Sequence, residues 1–372
     1  MIRPSGGVFF GKTGRVAPIV IAFHPRILPS TRRLAGGWVG RLVAGIACVA
    51  AISAGAGESV YRRSAQPAAV PDPAPPTDPA TPDATPPDGD RPSPASIIEA
   101  AAPSQPGSDG RAERIVTAAL AGIARAPSIS LRVRQLARVG DTVLKGGGRY
   151  VQSGVDEEQR FRFETRLSAE TEEFDVLEVC DGLFFWNTRR YGTLPPGVER
   201  IDVRRLRTHL DTLGLLARGD TAAYLGGILK PLAKTREWFR FTQVAAVEVE
   251  GVPAWLVSGE WDRERLAGLL PDRADAIRSG TPVNAADLPE GLPWSVRIAI
   301  SRRELFPFRV EWSAVPGRRP TAAPVEVVGV MEFYDVRLGD PVDAAAFVHR
   351  PNDDPLVDLT DITVAYLKPL RP

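Results

Sequence analysis

The sequence predicts an α+β domain in which two runs of antiparallel strands are separated by a pair of helices. Three observations carry that prediction. Apolar and polar residues alternate with period two over several segments between Ser128 and Val336, as half-buried strands require. Gly140-Asp141, Asp181-Gly182 and Gly251 fall between such segments as hairpin signals. Between Val203 and Leu232 the apolar period changes to that of a helix. Strand runs broken by helices in this way define the α+β class.

The order begins with a helix over Arg111–Arg125. Ile115, Val116, Ala119, Leu120 and Ile123 recur at helical spacing, Ser108 or Asp109 precedes as a cap, and Pro127 ends the pattern. Ser128–Val139 is the first strand, with Ile129, Leu131 and Val133 set against Ser130, Arg132 and Arg134. Thr142–Gln152 returns antiparallel, and Gly146, Gly147 and Gly148 within it predict a bulge or a sharp bend. Glu158–Leu167 alternates Phe161 and Phe163 with Arg160, Arg162, Glu164 and Arg166. Glu173–Cys180 and Leu183–Thr188 complete the first run, and the second of these is apolar on both faces.

The first helix of the pair carries Val203, Leu206, Leu210 and Leu213 on one stripe, opposite Arg204, Arg205 and Arg207. Gly214 to Gly219 breaks the pattern. The second helix starts near Asp220 with Tyr224, Leu225, Ile228, Leu229 and Leu232, and Pro231 should kink or end it. Strands resume at Phe239–Glu250, Val252–Glu260, Pro293–Ser301, Pro307–Ala314 and Val325–Val336, with a helical insertion at Arg263–Arg278. A long sheet of this kind cannot leave its apolar face in water, so the helices must cover it or it must close on itself.

Upstream, the chain divides into an N-terminal extension with a signal or anchor segment (1–57), a linker (58–110) and the folded domain (111–372). Leu42 to Gly57 is an unbroken apolar run behind Arg32, Arg33 and Arg41, and Ala54-Gly55-Ala56 offers a cleavage site. This run is shorter than the roughly 20 residues of a membrane-spanning helix, so cleavage is the first reading and an uncleaved anchor the second. Both place the folded part outside the cytoplasm, in the periplasm or cell envelope. The linker is rich in Pro, Ala and Asp and too poor in large apolar side chains to offset its ordering entropy. Gly6-Gly7-Val8-Phe9-Phe10-Gly11-Lys12-Thr13 matches a phosphate-loop pattern, but Pro18 follows too soon for the helix that such a loop needs. Cys48 sits inside the apolar run rather than at its end, which argues against a lipid-modified cysteine.

Composition and spacing exclude several classes. With 46 basic and 45 acidic side chains in 372 residues, no basic excess points to nucleic acid. Loss of Cys48 with the signal would leave Cys180 alone, so no internal disulfide is expected. His209 and His349 have no second His or Cys at metal-ligand spacing. Cys180 lacks a basic sequence neighbour to lower its pKa and reads as a buried structural thiol. Asp175 and Glu178 point to opposite faces of their strand, and Asp181 belongs to a turn, so no local carboxylate pair forms. No enzyme, metal or cofactor is expected.

The segments LKGGGRYVQ, VCDGLFFWN, VEGVPAWLVSGEW, FPFRVEW and FYDVRLGDPVDAAAFVHRP, in that order around a helical pair, resemble the bacterial lipoprotein-carrier superfamily of LolA-like and LppX-like proteins. The resemblance spans about residues 112 to 360. It implies an incomplete antiparallel β-barrel, a half-barrel, with a helical lid over a hydrophobic cavity. It implies a protein that holds the acyl chains of a lipid or lipoprotein without catalysis. Relatives of the same fold act instead as envelope-stress sensors, with a membrane protein as partner. The insertion at 263–287 and the long linker exceed what a minimal carrier needs and leave that second role open. The expected cavity lining is Leu131, Val133, Phe161, Phe163, Phe184, Trp186, Phe308, Val310 and Trp312, with Tyr224 and Leu225 from the lid.

Overall fold

The computed structural model describes residues 110–139, 142–169, 172–215, 221–284, 287–288, 292–314, 326–351 and 358–370. The apolar run at 42–57, the linker, the phosphate-loop pattern, Cys48, the Ser108/Asp109 cap and the Gly140-Asp141 turn lie outside these residues.

Helix α1 (Arg111–Arg125) leads into strands β1 (Ser128–Val139), β2 (Thr142–Ser153), β3 (Arg160–Ala169), β4 (Glu172–Cys180), β5 (Phe184–Tyr191) and β6 (Gly197–Asp202). Three helices follow, α2 (Val203–Thr212), α3 (Thr221–Leu225) and α4 (Leu229–Trp238). Then come β7 (Phe239–Val249), β8 (Val252–Trp261), the short helices α5 (Arg263–Leu269) and α6 (Ala274–Arg278), and β9 (Ser295–Ser301), β10 (Pro307–Ala314) and β11 (Glu326–Leu338). The chain closes with β12 (Asp358–Asp361) and α7 (Thr363–Leu367).

All twelve strands form one open sheet in the order β12-β6-β5-β4-β3-β2-β1-β11-β10-β9-β8-β7. Every neighbouring pair is antiparallel except β12 with β6. The α+β class therefore holds, and the sheet has two free edges. The helices gather on one face of it, where a single apolar cluster takes side chains from α1, from both strand runs and from α2, α3 and α4. The opposite face is ionic around β9–β11. There Glu311, 1% exposed, accepts from Arg297 at 3.0 Å and from Arg309 at 2.6 Å, and Arg309 also pairs with Glu332.

The sheet bends around its helices. Gly226, just before α4, lies against Phe185 of β5, and Thr235 within α4 accepts from the Trp312 indole of β10 at 3.3 Å. Strands β5 and β10 are six places apart, about 29 Å in a flat sheet. From Gly226 to Thr235 the chain has three non-helical residues, spanning at most about 10 Å, and six helical steps, about 9 Å. Curvature closes that gap.

Some expectations change. The triple glycine makes no bulge, because β2 keeps an unbroken register with both β1 and β3. Its glycines permit close approach instead. A Cβ on Gly146 or Gly148 would lie 1.9 or 1.7 Å from the carbonyl oxygens of Arg166 and Glu164. Pro231 does not end its helix. It occupies the first turn of α4, where the missing N–H costs no hydrogen bond, and the break falls at Gly226-Gly227, where Gly227 has φ +64°. Strands β6 and β12 and helix α7 were not expected. Val198 and Ile201 of β6 face opposite sides of the sheet, so this short strand shows no apolar alternation.

Two glycine substitutions test this packing. Gly148→Ala should lower unfolding free energy by at least about 2 kcal/mol, since backbone must move to admit the methyl group. Gly122→Ala, on an open face of α1, should raise it by about 0.5–1 kcal/mol. Urea titration of both variants checks the pair.

Candidate functional site: the concave face

Strand register arranges the helix-covered, concave face in rows. One row runs Ile201, Phe185, Cys180, Phe161, Gln152 and Ile129 across β6 to β1. The next runs Glu199, Asn187, Glu178, Phe163, Tyr150 and Leu131. Arg189, Val176, Thr165, Gly148 and Val133 follow. Beyond them Ala137, Leu144, Leu167, Ala169 and Phe174 make a second apolar cluster with Val176 and Tyr191.

Of the expected lining residues, Leu131, Val133, Phe161, Phe163, Val310, Trp312 and Leu225 are buried together in the central cluster, and Tyr224 packs against it half-buried. Phe308 sits half-buried where the register between β9 and β10 shifts by one residue. Phe184 and Trp186 lie on the other face of the sheet, in a small cluster with Val179, Val198, Leu177 and Leu359. There the Arg200 guanidinium stacks 4.8 Å from the Phe184 ring centre, and His349 meets Trp186 edge-on. The eleven residues therefore occupy two faces and do not line one chamber.

The concave face also holds charges that the sequence reading did not single out as a site. Glu178 and Lys230 are 6% and 4% exposed. Glu178 Oε2 accepts the Gly227 N–H at 2.7 Å, which ties the α3–α4 break to β4. Lys230 Nζ donates to the Leu225 carbonyl at 3.1 Å and to the Tyr366 hydroxyl at 3.3 Å, and that hydroxyl in turn donates to the Tyr224 carbonyl. Burial raises the Glu178 pKa above the usual carboxylate range, against the opposing pull of Lys230 and the Gly227 bond. Burial lowers Lys230 to about 8, and Glu178 limits the fall. The Asn187 amide donates to Glu199 Oε2 at 3.3 Å, while its Oδ1 is buried without a partner.

The other chemistry-bearing side chains are structural in setting. Burial pushes the Cys180 thiol up to about 11. Asp175 pairs with Arg166 and Arg190 on the outer face. The Asp181 carboxylate accepts from the Leu183 and Phe184 amides in the hairpin turn. His209 Nε2 lies 2.7 Å from the Leu370 carbonyl. It borders a surface cleft of about 300 Å³ between α2 and α7, lined also by Arg205, Val364, Leu367, Lys368 and Leu370.

No family model and no curated protein sequence matches the chain. Several solved structures align with the chain at low identity. Mycobacterium tuberculosis lipoprotein LppX aligns at 9% identity and TM-score 0.26, covering 64% of this chain and all of that one. A putative outer membrane lipoprotein-sorting protein domain from Vibrio parahaemolyticus aligns at 10% identity and TM-score 0.24, over 64% and 97%. MucB aligns at 13% identity and TM-score 0.33, over 66% and 65%. Overlaps this loose describe a likeness of fold and carry nothing about ligand or partner.

The buried pair gives a pH signature. Lys230 in the folded state holds its proton less tightly than an ordinary lysine at 10.5, so the unfolded chain binds more protons between about pH 8 and 10.5. Its contribution to stability should rise with pH over that window. In Glu178→Gln the supporting carboxylate is gone, so the rise should begin at lower pH. Denaturant unfolding of both proteins across pH 6–10.5 measures this, and an unchanged onset would separate the two groups.

Proposed function

We propose that this chain is an exported, non-catalytic protein that binds the acyl chains of a lipid or lipoprotein between its curved sheet and its helices. The observation that carries the reading is the roof of the concave face. Its central part consists of two short helices, α3 and α4, joined by Gly226-Gly227, with α1 and α2 packed into the same apolar cluster. Such a roof is tied to the sheet by few polar contacts, the Glu178–Gly227 bond and the Trp312–Thr235 bond among them. Swinging at the two glycines would uncover apolar sheet without unfolding the strands.

The chemistry asked of the site is modest. Each methylene of an acyl chain taken out of water contributes roughly 0.8 kcal/mol, less the cost of association. No nucleophile or general base is required. Leu131, Val133, Phe161, Phe163, Val310 and Trp312 would meet the chain from the sheet, and Tyr224 and Leu225 from the roof, with Phe308 at the margin. Phe184 and Trp186 face away and stand outside this proposal. In this reading the helical pair is the lid of a half-barrel, and the 42–57 segment delivers the domain to the envelope.

The test is to purify the protein from its native envelope without detergent and extract it for mass spectrometry. The expected result is about one acyl-bearing molecule per chain. An acyl-free protein that instead retains a membrane protein would contradict this reading and indicate an interaction module.

A further inference from the structure

A chamber built only for acyl chains has no use for a polar row, yet one crosses the concave face between its two apolar clusters. Glu178, Asn187 and Glu199 stand directly opposite one another on β4, β5 and β6. Glu178 is engaged by the Gly227 N–H and Glu199 by the Asn187 Nδ2. Asn187 Oδ1 is left over. The residue is 7% exposed, and this oxygen is buried with no hydrogen-bond partner. Flipping the amide would set Oδ1 against the Glu199 carboxylate, acceptor to acceptor, so the orientation is fixed by chemistry. A buried amide oxygen without a donor is a standing cost, and it is relieved when a donor arrives.

The charge around this oxygen selects the donor. Lys230 and Arg189 are the basic groups that act on Glu178, and Glu199 acts on Lys230 in turn. Two acids thus face two bases. An added anion would meet the carboxylates of Glu178 and Glu199 on either side of Asn187, and an added cation would compete with Lys230 and Arg189 for those carboxylates. A neutral group that carries its own hydrogen avoids both penalties. Val176 follows on the same face, and the cluster of Phe174, Leu167 and Leu144 lies beyond it, continuous with the row.

Resting on the acyl-binding reading above, we propose that Glu178, Asn187 and Glu199 form a head-group subsite for an uncharged amphiphile whose head donates a hydrogen bond to Asn187 Oδ1. A glycerol hydroxyl and an N-acyl amide share that chemistry. The chain of such a ligand runs from the row past Phe163 and Leu131 into the central apolar cluster.

The experiment uses the delipidated full chain and a displaceable fluorescent fatty probe. Four competitors of equal chain length are titrated: a monoacylglycerol, an N-acyl amide, a free fatty acid and a lysophosphatidic acid. At least one neutral donor should bind about tenfold more tightly than either anion, and the stronger of the two identifies the head. In Asn187→Leu that preference should shrink to about twofold while chain-dependent binding persists. Anions that bind as tightly as both neutral donors overturn the subsite, as does an unchanged ratio in Asn187→Leu. The ratio on the unmodified protein stands even if the variant folds poorly. Binding by none of the four overturns the acyl-binding reading itself, a result distinct from loss of head-group preference alone.

Discussion

A short helix that touches strands six places apart forces its sheet to bend, and the rest of this structure depends on that bend. The α3–α4 segment reaches Phe185 on β5 at one end and Trp312 on β10 at the other. Twelve strands wrapped around it leave two edges that never meet. The triple glycine of β2 lets adjacent backbones approach where side chains would block them. The main apolar cluster lies on the concave face, where the α-helices pack, and among the described residues the outer face carries ion pairs around β9–β11 and a small cluster around Trp186.

Within that apolar interior the chain keeps Glu178 and Lys230. Removing two charges from water is costly, and attraction between them in the interior offsets only part of that cost. A well-packed apolar pair would often be no less stable, so stability alone does not explain their retention. Their placement suits a role in holding the roof. Glu178 grips the Gly226-Gly227 break from the sheet side, while Lys230 and Tyr366 tie the carbonyls of Leu225 and Tyr224 to the C-terminal helix. These bonds are few and local. They fix the position of a roof whose Ala222, Leu225, Ile228, Leu229 and Leu232 are buried in the same apolar cluster as the sheet.

Much of this was legible in the sequence. Period-two alternation located β1, β3 and β10, and the α1 bounds coincide with its helical stripe. Strand β6 was hidden because its two apolar residues serve different faces, and β12 because four residues carry no period. Leu183 to Trp186 is apolar on both faces, and alternation cannot say which face is the inner one. Tertiary register decides that: Phe185 turns inward and Trp186 outward. The polar row was visible only as isolated letters. Glu178 interrupts an otherwise apolar strand face, and Lys230 lies in a helix that also carries Lys234, Arg236 and Glu237, and nothing local links residues 52 positions apart. The fold brings them within each other's field.

The wrapped arrangement is tested most directly by nuclear Overhauser contacts in the isotopically labelled domain. Gly227 should show cross-relaxation to the ring protons of both Tyr150 and Phe161, and the Trp312 indole N–H to the Thr235 side chain, all within one molecule. A Gly227 amide that exchanges freely with solvent and shows no aromatic contacts would mean that the helical pair does not lie inside the sheet.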